Sequence, residues 1–368
     1  MTFSVFFDAL MLGFEYSLLA VGVYITFRIL DMADLTVDGS FGFGMACSAV
    51  AAVAGHPYLG LVLGAVAGAA AGCVSGLLIT RARINPLLAG IITMTGLYSV
   101  NIYVLGAPNV SLLNATRAFD PLYAALGGAD GPLTLDGVKM AFIVVLVCVV
   151  VALLSAYFKT EAGLAMRGVG DNEAMSRASS INTNLVKVGG LALGNALVGL
   201  TGALLAQYQG FADLASGTGM VMVGLASVII GEVFGGHRSV TWGLACAVVG
   251  SVVYRLIIQL ALAVNLLDSN ALKLVSAVIV AVFMALPAVR AAMANSASKR
   301  AAKSAMERLL AADAEALTPF AATSSAPAAS APRSSDVRKV GASGDTAATS
   351  SGDAPDPAPA DSSSRKGE

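Results

Sequence analysis

The sequence predicts an all-α polytopic membrane protein with about nine transmembrane helices and a disordered C-terminal tail. Three observations carry this reading. Of 368 residues, 57% are hydrophobic and 12% charged, against about 25% charged in a soluble domain. The apolar runs between Met1 and Val289 are long, rich in Ala, Leu, Val and Gly, and do not alternate. A β-barrel would need segments of about ten strictly alternating residues. The Lys and Arg residues also gather in alternate loops. Mean hydropathy is +0.78 although the C-terminal stretch is polar. This composition excludes an ordinary soluble enzyme and a wholly disordered chain. With 22 basic and 23 acidic residues, no global basic field favours nucleic acid.

A spanning helix needs about 20 apolar residues. The first eight runs are 5–28, 39–54, 58–79, 86–105, 138–158, 185–207, 219–234 and 240–262, and a ninth is 271–289. No Lys or Arg precedes Arg28, so the first run lacks the basic flank of a signal peptide and is expected to be retained. Three regions follow: a transmembrane domain over 1–290, a mixed-charge helical extension over 291–317, and an Ala/Ser/Pro-rich tail over 318–368. The tail cannot bury a core and is expected to be disordered.

Basic residues set the orientation. Arg81 and Arg83 follow span three. Lys159, Arg167, Arg177 and Lys187 follow span five, and His237 and Arg238 follow span seven. Arg290, Lys299, Arg300 and Lys303 follow span nine. The opposite loops hold only Arg117, Lys139 and Lys273. The N-terminus is therefore expected outside and the tail in the cytoplasm. The 106–137 loop is then external, either a docking surface for a soluble partner or a passive connector.

The chain shows no sign of catalysis or metal binding. Cys47, Cys73, Cys148 and Cys246 lie singly in apolar runs, without CxxC or Cys/His spacing. His56 and His237 sit in turns with no partner at a catalytic spacing.

Polar residues inside apolar runs are costly and so are candidates for function. Asp34 and Asp38 are four apart and share a helix face. Gly39, Gly42 and Gly44 follow at once. Two readings stand. The segment is either a broken helix lining a path, or a cytoplasmic turn in which Asp38 caps span two. Ala33-Asp-Leu-Thr-Val-Asp-Gly39 also resembles Ala212-Asp-Leu-Ala-Ser-Gly-Thr-Gly219. The two fall on opposite faces, as an inverted repeat requires, although chance likeness also explains three identities. Candidates for the translocation path are Glu15, Asp34, Asp38, Gly39, Asn101, Asn195 and Asp213, with interhelical hydrogen bonding as the alternative role. Arg255, in the outer half of span eight, is expected to reach outward. Gly64, Gly68, Gly72 and Gly76, with Gly190, Gly194, Gly199 and Gly202, form close-packing faces, within one subunit or at a dimer seam.

The loop 160–184 predicts two short helices broken at Gly170-Asp171-Asn172, with Leu164, Met166 and Val169 on one apolar edge. It reads as a docking knob or as an amphipathic loop on the headgroups. Here the chain resembles the permease subunits of bacterial ABC importers of the branched-chain amino acid and ribose type. Gly163, Arg167, Gly170, Asp171 and Asn172 match their coupling-loop pattern, and Asp34-Leu-Thr-Val-Asp-Gly-Ser40 resembles the element before their second helix, with Asp38 inserted.

The resemblance implies an ATPase-coupling loop of Glu161, Ala162, Gly163, Met166, Arg167, Gly170, Asp171 and Asn172. It also implies a cytoplasmic ATPase subunit carrying ATP and Mg, an extracytoplasmic solute-binding protein, and a second permease copy, identical or related. The setting would be the lipid bilayer of a bacterial inner membrane. No GxxxxGK[ST] motif is present, so the chain is expected to bind no cofactor itself and to move a small polar solute, such as an amino acid or related compound. The competing reading is an ion-coupled secondary transporter using Glu15, Asp34 and Asp213.

Overall fold

The computed structural model describes residues 3–126, 134–235 and 239–263, with isolated positions beyond. Eight helical segments among them are long and apolar enough to cross a membrane, and they coincide with the first eight predicted spans. The predicted ninth span, the extension, the tail, His237 and Arg238 lie outside the described residues, isolated positions aside.

The first span, Val5–Ile29, is not one regular helix. It consists of α1 (Phe3–Glu15), α2 (Ser17–Val23) and a π-wound end, Tyr24–Ile29. At Tyr16 the backbone ladder continues, Tyr16 N–H to the Leu12 carbonyl and Ala20 N–H to the Tyr16 carbonyl, both at 3.0 Å, and the Ser17 hydroxyl donates to the Phe14 carbonyl as well. Then come α3 (Thr36–Val53), α4 (Pro57–Thr80) and α5 (Pro86–Leu105). A proline starts each of the last two, where its missing N–H costs nothing.

Beyond α5 lie β1 (Asn109–Ser111), α6 (Phe119–Ala125) and α7 (Leu135–Tyr157). The loop after span five forms α8 (Glu161–Asp171) and α9 (Glu173–Ala178). Asn172 separates them, and its side chain accepts from Met175 N–H at 3.0 Å. The long α10 (Thr183–Gln209) ends at Gly210, whose φ of +76° suits glycine. β2 (Phe211–Asp213), a 3₁₀ turn (Leu214–Gly217), α11 (Met220–Gly235) and α12 (Val240–Ala263) follow. β2 pairs antiparallel with β1, Asn109 opposite Asp213.

The first span, α3 and α10 are 67–78% buried within the chain, against 22% for α5 and α7. Glycine makes the centre possible. α4 lays Gly64, Gly68 and Gly72 directly on α10, and a methyl group at Gly68 would collide with the Asn195 carbonyl. One at Gly72 would meet the Leu191 carbonyl, and Gly44 of α3 abuts Gly199. The glycine faces therefore pack inside one subunit. In lipid this close backbone approach, not apolar burial, holds helices together.

Gly68→Leu should abolish a monodisperse folded protein in detergent. Gly189→Ala, on the same α10 but with nothing within 4 Å of its added carbon, should leave the melting temperature within a few degrees. Size-exclusion chromatography with thermal melting checks both.

Candidate functional site

A buried polar node sits where α3 begins. Asp34 precedes the helix, and its Oδ1 accepts the Thr36 N–H at 2.9 Å. Its Oδ2 accepts from Asn195 Nδ2 at 2.6 Å. Ser40 Oγ donates to Asn195 Oδ1 at 2.7 Å. The Thr36 hydroxyl joins Ser75 of α4, and Ser75 donates to Thr93 of α5 at 2.9 Å. One cluster thus ties α3, α4, α5 and α10 together. Asn195 is near the middle of a 27-residue spanning helix. Asp34 therefore lies at membrane depth, and the turn at a membrane surface is the reading that fails.

Asp38 does not cap its own helix. It lies in the first turn of α3 and reaches across to α11. Its Oδ2 accepts Gly219 N–H at 2.8 Å and its Oδ1 accepts Val221 N–H at 2.9 Å. Gly217 packs against the Asp38 carbonyl. The two similar stretches, 33–39 and 212–219, therefore meet. α11 is 16 residues long, about 24 Å, and reaches spanning length only together with the 3₁₀ turn before it, as Leu214–Gly235. Two helices thus begin inside the apolar body, each with a carboxylate at its exposed N–H groups.

The other predicted path residues are distributed differently. Gly39 stands beside Asp38, packed on Met94 and Leu97. Asn101 donates to the Gly39 carbonyl at 3.3 Å, while its own Oδ1 is buried and unpartnered among the described residues. Asp213 is not at the node; it caps the 3₁₀ turn through Ala215 N–H at 3.0 Å. Glu15 is fully buried, and neither of its oxygens accepts a hydrogen bond among the described residues. The Arg255 charge acts on it from α12. Arg255 does not reach outward as expected: its guanidinium lies 3.6 Å from the Tyr16 ring centroid, a cation–π contact that compensates its burial. Gln207, another polar residue inside a span and one whose expected role is interhelical hydrogen bonding, bonds Ser48, Pro57 and Ala118 and ties α10 to α3, α4 and the loop before α6. Sequence reasoning missed the hydroxyl chain from Thr36 to Thr93, although Ser and Thr at small-residue packing positions are a signal for it.

The loop after α7 is anchored rather than free. Gly163 packs on the Tyr157 carbonyl and Phe158, and Met166 and Val169 are buried. Gly170 presses on the Ile29 carbonyl at the end of the π-wound turn. Leu164, placed with the apolar edge by sequence, instead faces out at 55% exposure. Glu161, Ala162, Arg167, Asp171 and Asn172 are exposed as well. A polar cavity of about 560 Å³ opens between α8, the π-wound turn, Glu232 and Ser239. Arg28 and Glu232 close one side of it with an ion pair at 2.8 Å. From Gly170 the chain path runs through Ile29 to Asp34 within a few residues, so α8 leans on the segment that carries the node.

Asn195→Ala should cost about 1–3 kcal/mol by leaving the Asp34 carboxyl without its side-chain donor. Thermal melting of the purified variant beside the wild type checks this. Gly170→Val should leave the protein folded but displace α8 from Ile29, read as faster proteolysis within 160–182.

The comparisons with known proteins agree with this architecture. Residues 5–287 match the family described as the branched-chain amino acid transport system / permease component. A tyrosine transport system permease protein of Clostridioides difficile (strain R20291) is 33% identical over 270 residues, 73% of this chain and 86% of the relative. An uncharacterized protein of Rickettsia prowazekii (strain Madrid E) is 32% identical over 214 residues, 58% of this chain and 72% of the relative. No solved structure gives a significant match. The chain is a multi-pass membrane protein and belongs to the family of branched-chain amino acid transport system permease components.

Proposed function

We propose that the chain is the transmembrane permease subunit of an ATP-driven importer, forming the path for a small polar solute, an amino acid or related compound. The tyrosine transport permease among its relatives supports an amino acid as the solute. The observation that carries the reading is α8: Gly163, Met166 and Gly170 anchor its inner side while Glu161, Arg167 and Asp171 face outward. That is a helix fixed to the spans and open to a partner. Exposed Leu164 and Met175 give the partner apolar purchase.

In this reading the α8 face is cytoplasmic, as the basic loops require, and the opposite end meets a solute-binding protein. ATP and Mg reside on a separate ATPase, a second permease copy completes the path, and the membrane is a bacterial inner membrane. The ATPase moves α8, α8 moves the π-wound turn at Ile29, and the turn shifts the Asp34 node. The work is conformational and needs no covalent step in this chain.

The test is uptake of labelled L-tyrosine by proteoliposomes holding the permease together with its cognate ATPase and binding protein. Uptake should need ATP and survive an uncoupler. Uptake without ATP that an uncoupler stops would instead favour ion coupling, for which Glu15, buried without a hydrogen bond among the described residues, is the structural argument. Arg167→Glu should reduce uptake by more than an order of magnitude with unchanged permease in the membrane, because it reverses a charge on the docking face.

A further inference from the structure

Resting on the importer reading, we propose that the polar cavity beside α8 is a cytoplasmic site for an α-amino acid, where the imported solute binds back and slows its own uptake. The cavity measures about 560 Å³, within the usual range of about 300–1,000 Å³ for a small-molecule site. Four elements meet around it: the end of the first span, α8, α11 and α12. Arg167 and Asp171 come from α8 and Glu232 from α11. Tyr24 and Arg28 come from the π-wound turn, and Asp31 from the residues just after it.

Tyr24 marks the floor of the site. It is 8% exposed and lines the cavity, yet its hydroxyl makes no hydrogen bond among the described residues. The hydroxyl stands where a side chain on Gly243 would be, so α12 leaves that place clear. The charges of Glu232, Arg28 and Arg167 all act on it. A tyrosine hydroxyl buried in this way ordinarily has a partner, and here the partner has to come from the cavity.

The charges of the lining select that partner. Arg28 is paired with Glu232 at 2.8 Å. Arg167, Asp31 and Asp171 enter no ion pair among the described residues. Arg167 and Asp171 are four apart on α8 and share a face, yet they do not pair with each other. An α-amino acid brings one carboxylate and one ammonium on the same carbon. Its carboxylate suits the planar fork of Arg167. Its ammonium, with three donors and no acceptor, suits Asp31 and Asp171. A simple anion would meet two carboxylates as like charges, and a simple amine would leave Arg167 unanswered. A zwitterion held this way ties α8 to the end of the first span. A ligand that prefers one arrangement holds the protein in it, so the bound solute opposes the α8 movement that drives transport.

The single tryptophan of the chain reports on the site. Trp242 stands between Val240 and Gly243 of the cavity wall, and its fluorescence, excited selectively, is followed as purified full-length permease is titrated with L-tyrosine. The change should saturate. Tyramine, which has the amine and no carboxylate, and 3-(4-hydroxyphenyl)propionate, which has the carboxylate and no amine, should each bind about tenfold more weakly. Tyr24→Phe removes only an oxygen without a hydrogen bond and should weaken L-tyrosine about fivefold; Asp31→Asn should weaken it about tenfold. No saturable change, equal affinity for the three compounds, or wild-type affinity in both variants would overturn the site. In proteoliposomes with ATP and unlabelled L-tyrosine sealed inside, initial uptake should fall several-fold below that with ATP alone, and the ratio should return towards one in Tyr24→Phe. An equal ratio in the two proteins would overturn the feedback. ATP-independent uptake would instead overturn the importer reading and leave the titration standing, so the failures are distinguishable.

Discussion

Backbone N–H groups cannot be left bare in hydrocarbon, and this constraint organises the chain. Two helices, α3 and α11, start within the apolar body, so each offers unpaired donors where water is scarce. Asp34 answers the first through Thr36, and Asp38 answers the second through Gly219 and Val221. Carboxylates at helix N-termini are favoured both by hydrogen bonding and by the helix dipole. Removing either would leave irregular backbone that membranes tolerate only where it is buried or lines a cavity.

The glycine packing serves the same end. Asp34 reaches Asn195 only because α10 lies against α3 and α4 at backbone distance, through Gly44, Gly199 and Gly68. Bulkier residues would separate the helices and break the bond between Asp34 and Asn195. The tight interior also confines motion. α8 rests through Gly170 on Ile29, where the π-wound turn ends, and the non-helical residues 30–33 join that contact to the node. Wide turns of this kind occur where function needs a helix to shift.

Much of this was legible in the sequence. Eight spans, the two short helices of the 160–184 loop and the break at Asn172 follow from hydropathy, basic loops and turn residues. The likeness between residues 33–39 and 212–219 pointed to two segments that do meet. Asp38 shows the limit. Its spacing from Asp34 placed it on a helix face, but its partners, Gly219 and Val221, lie more than 180 positions away. Local pattern carries no trace of such pairs. Arg255 was placed by depth alone, and an aromatic partner on another helix, Tyr16, decided its direction instead. Leu164 was placed by periodicity on a helix too short for periodicity to fix a face.

The carboxylate caps are tested most directly by residue-resolved hydrogen–deuterium exchange at the start of α11. The amides of Gly219 and Val221 should exchange slowly in the wild-type permease, although their neighbours Thr218 and Met222 are exposed. In Asp38→Ala these two amides should exchange rapidly while the remainder of α11 keeps its protection. Rapid exchange at both positions in the wild type, or unchanged protection in the variant, would contradict the account.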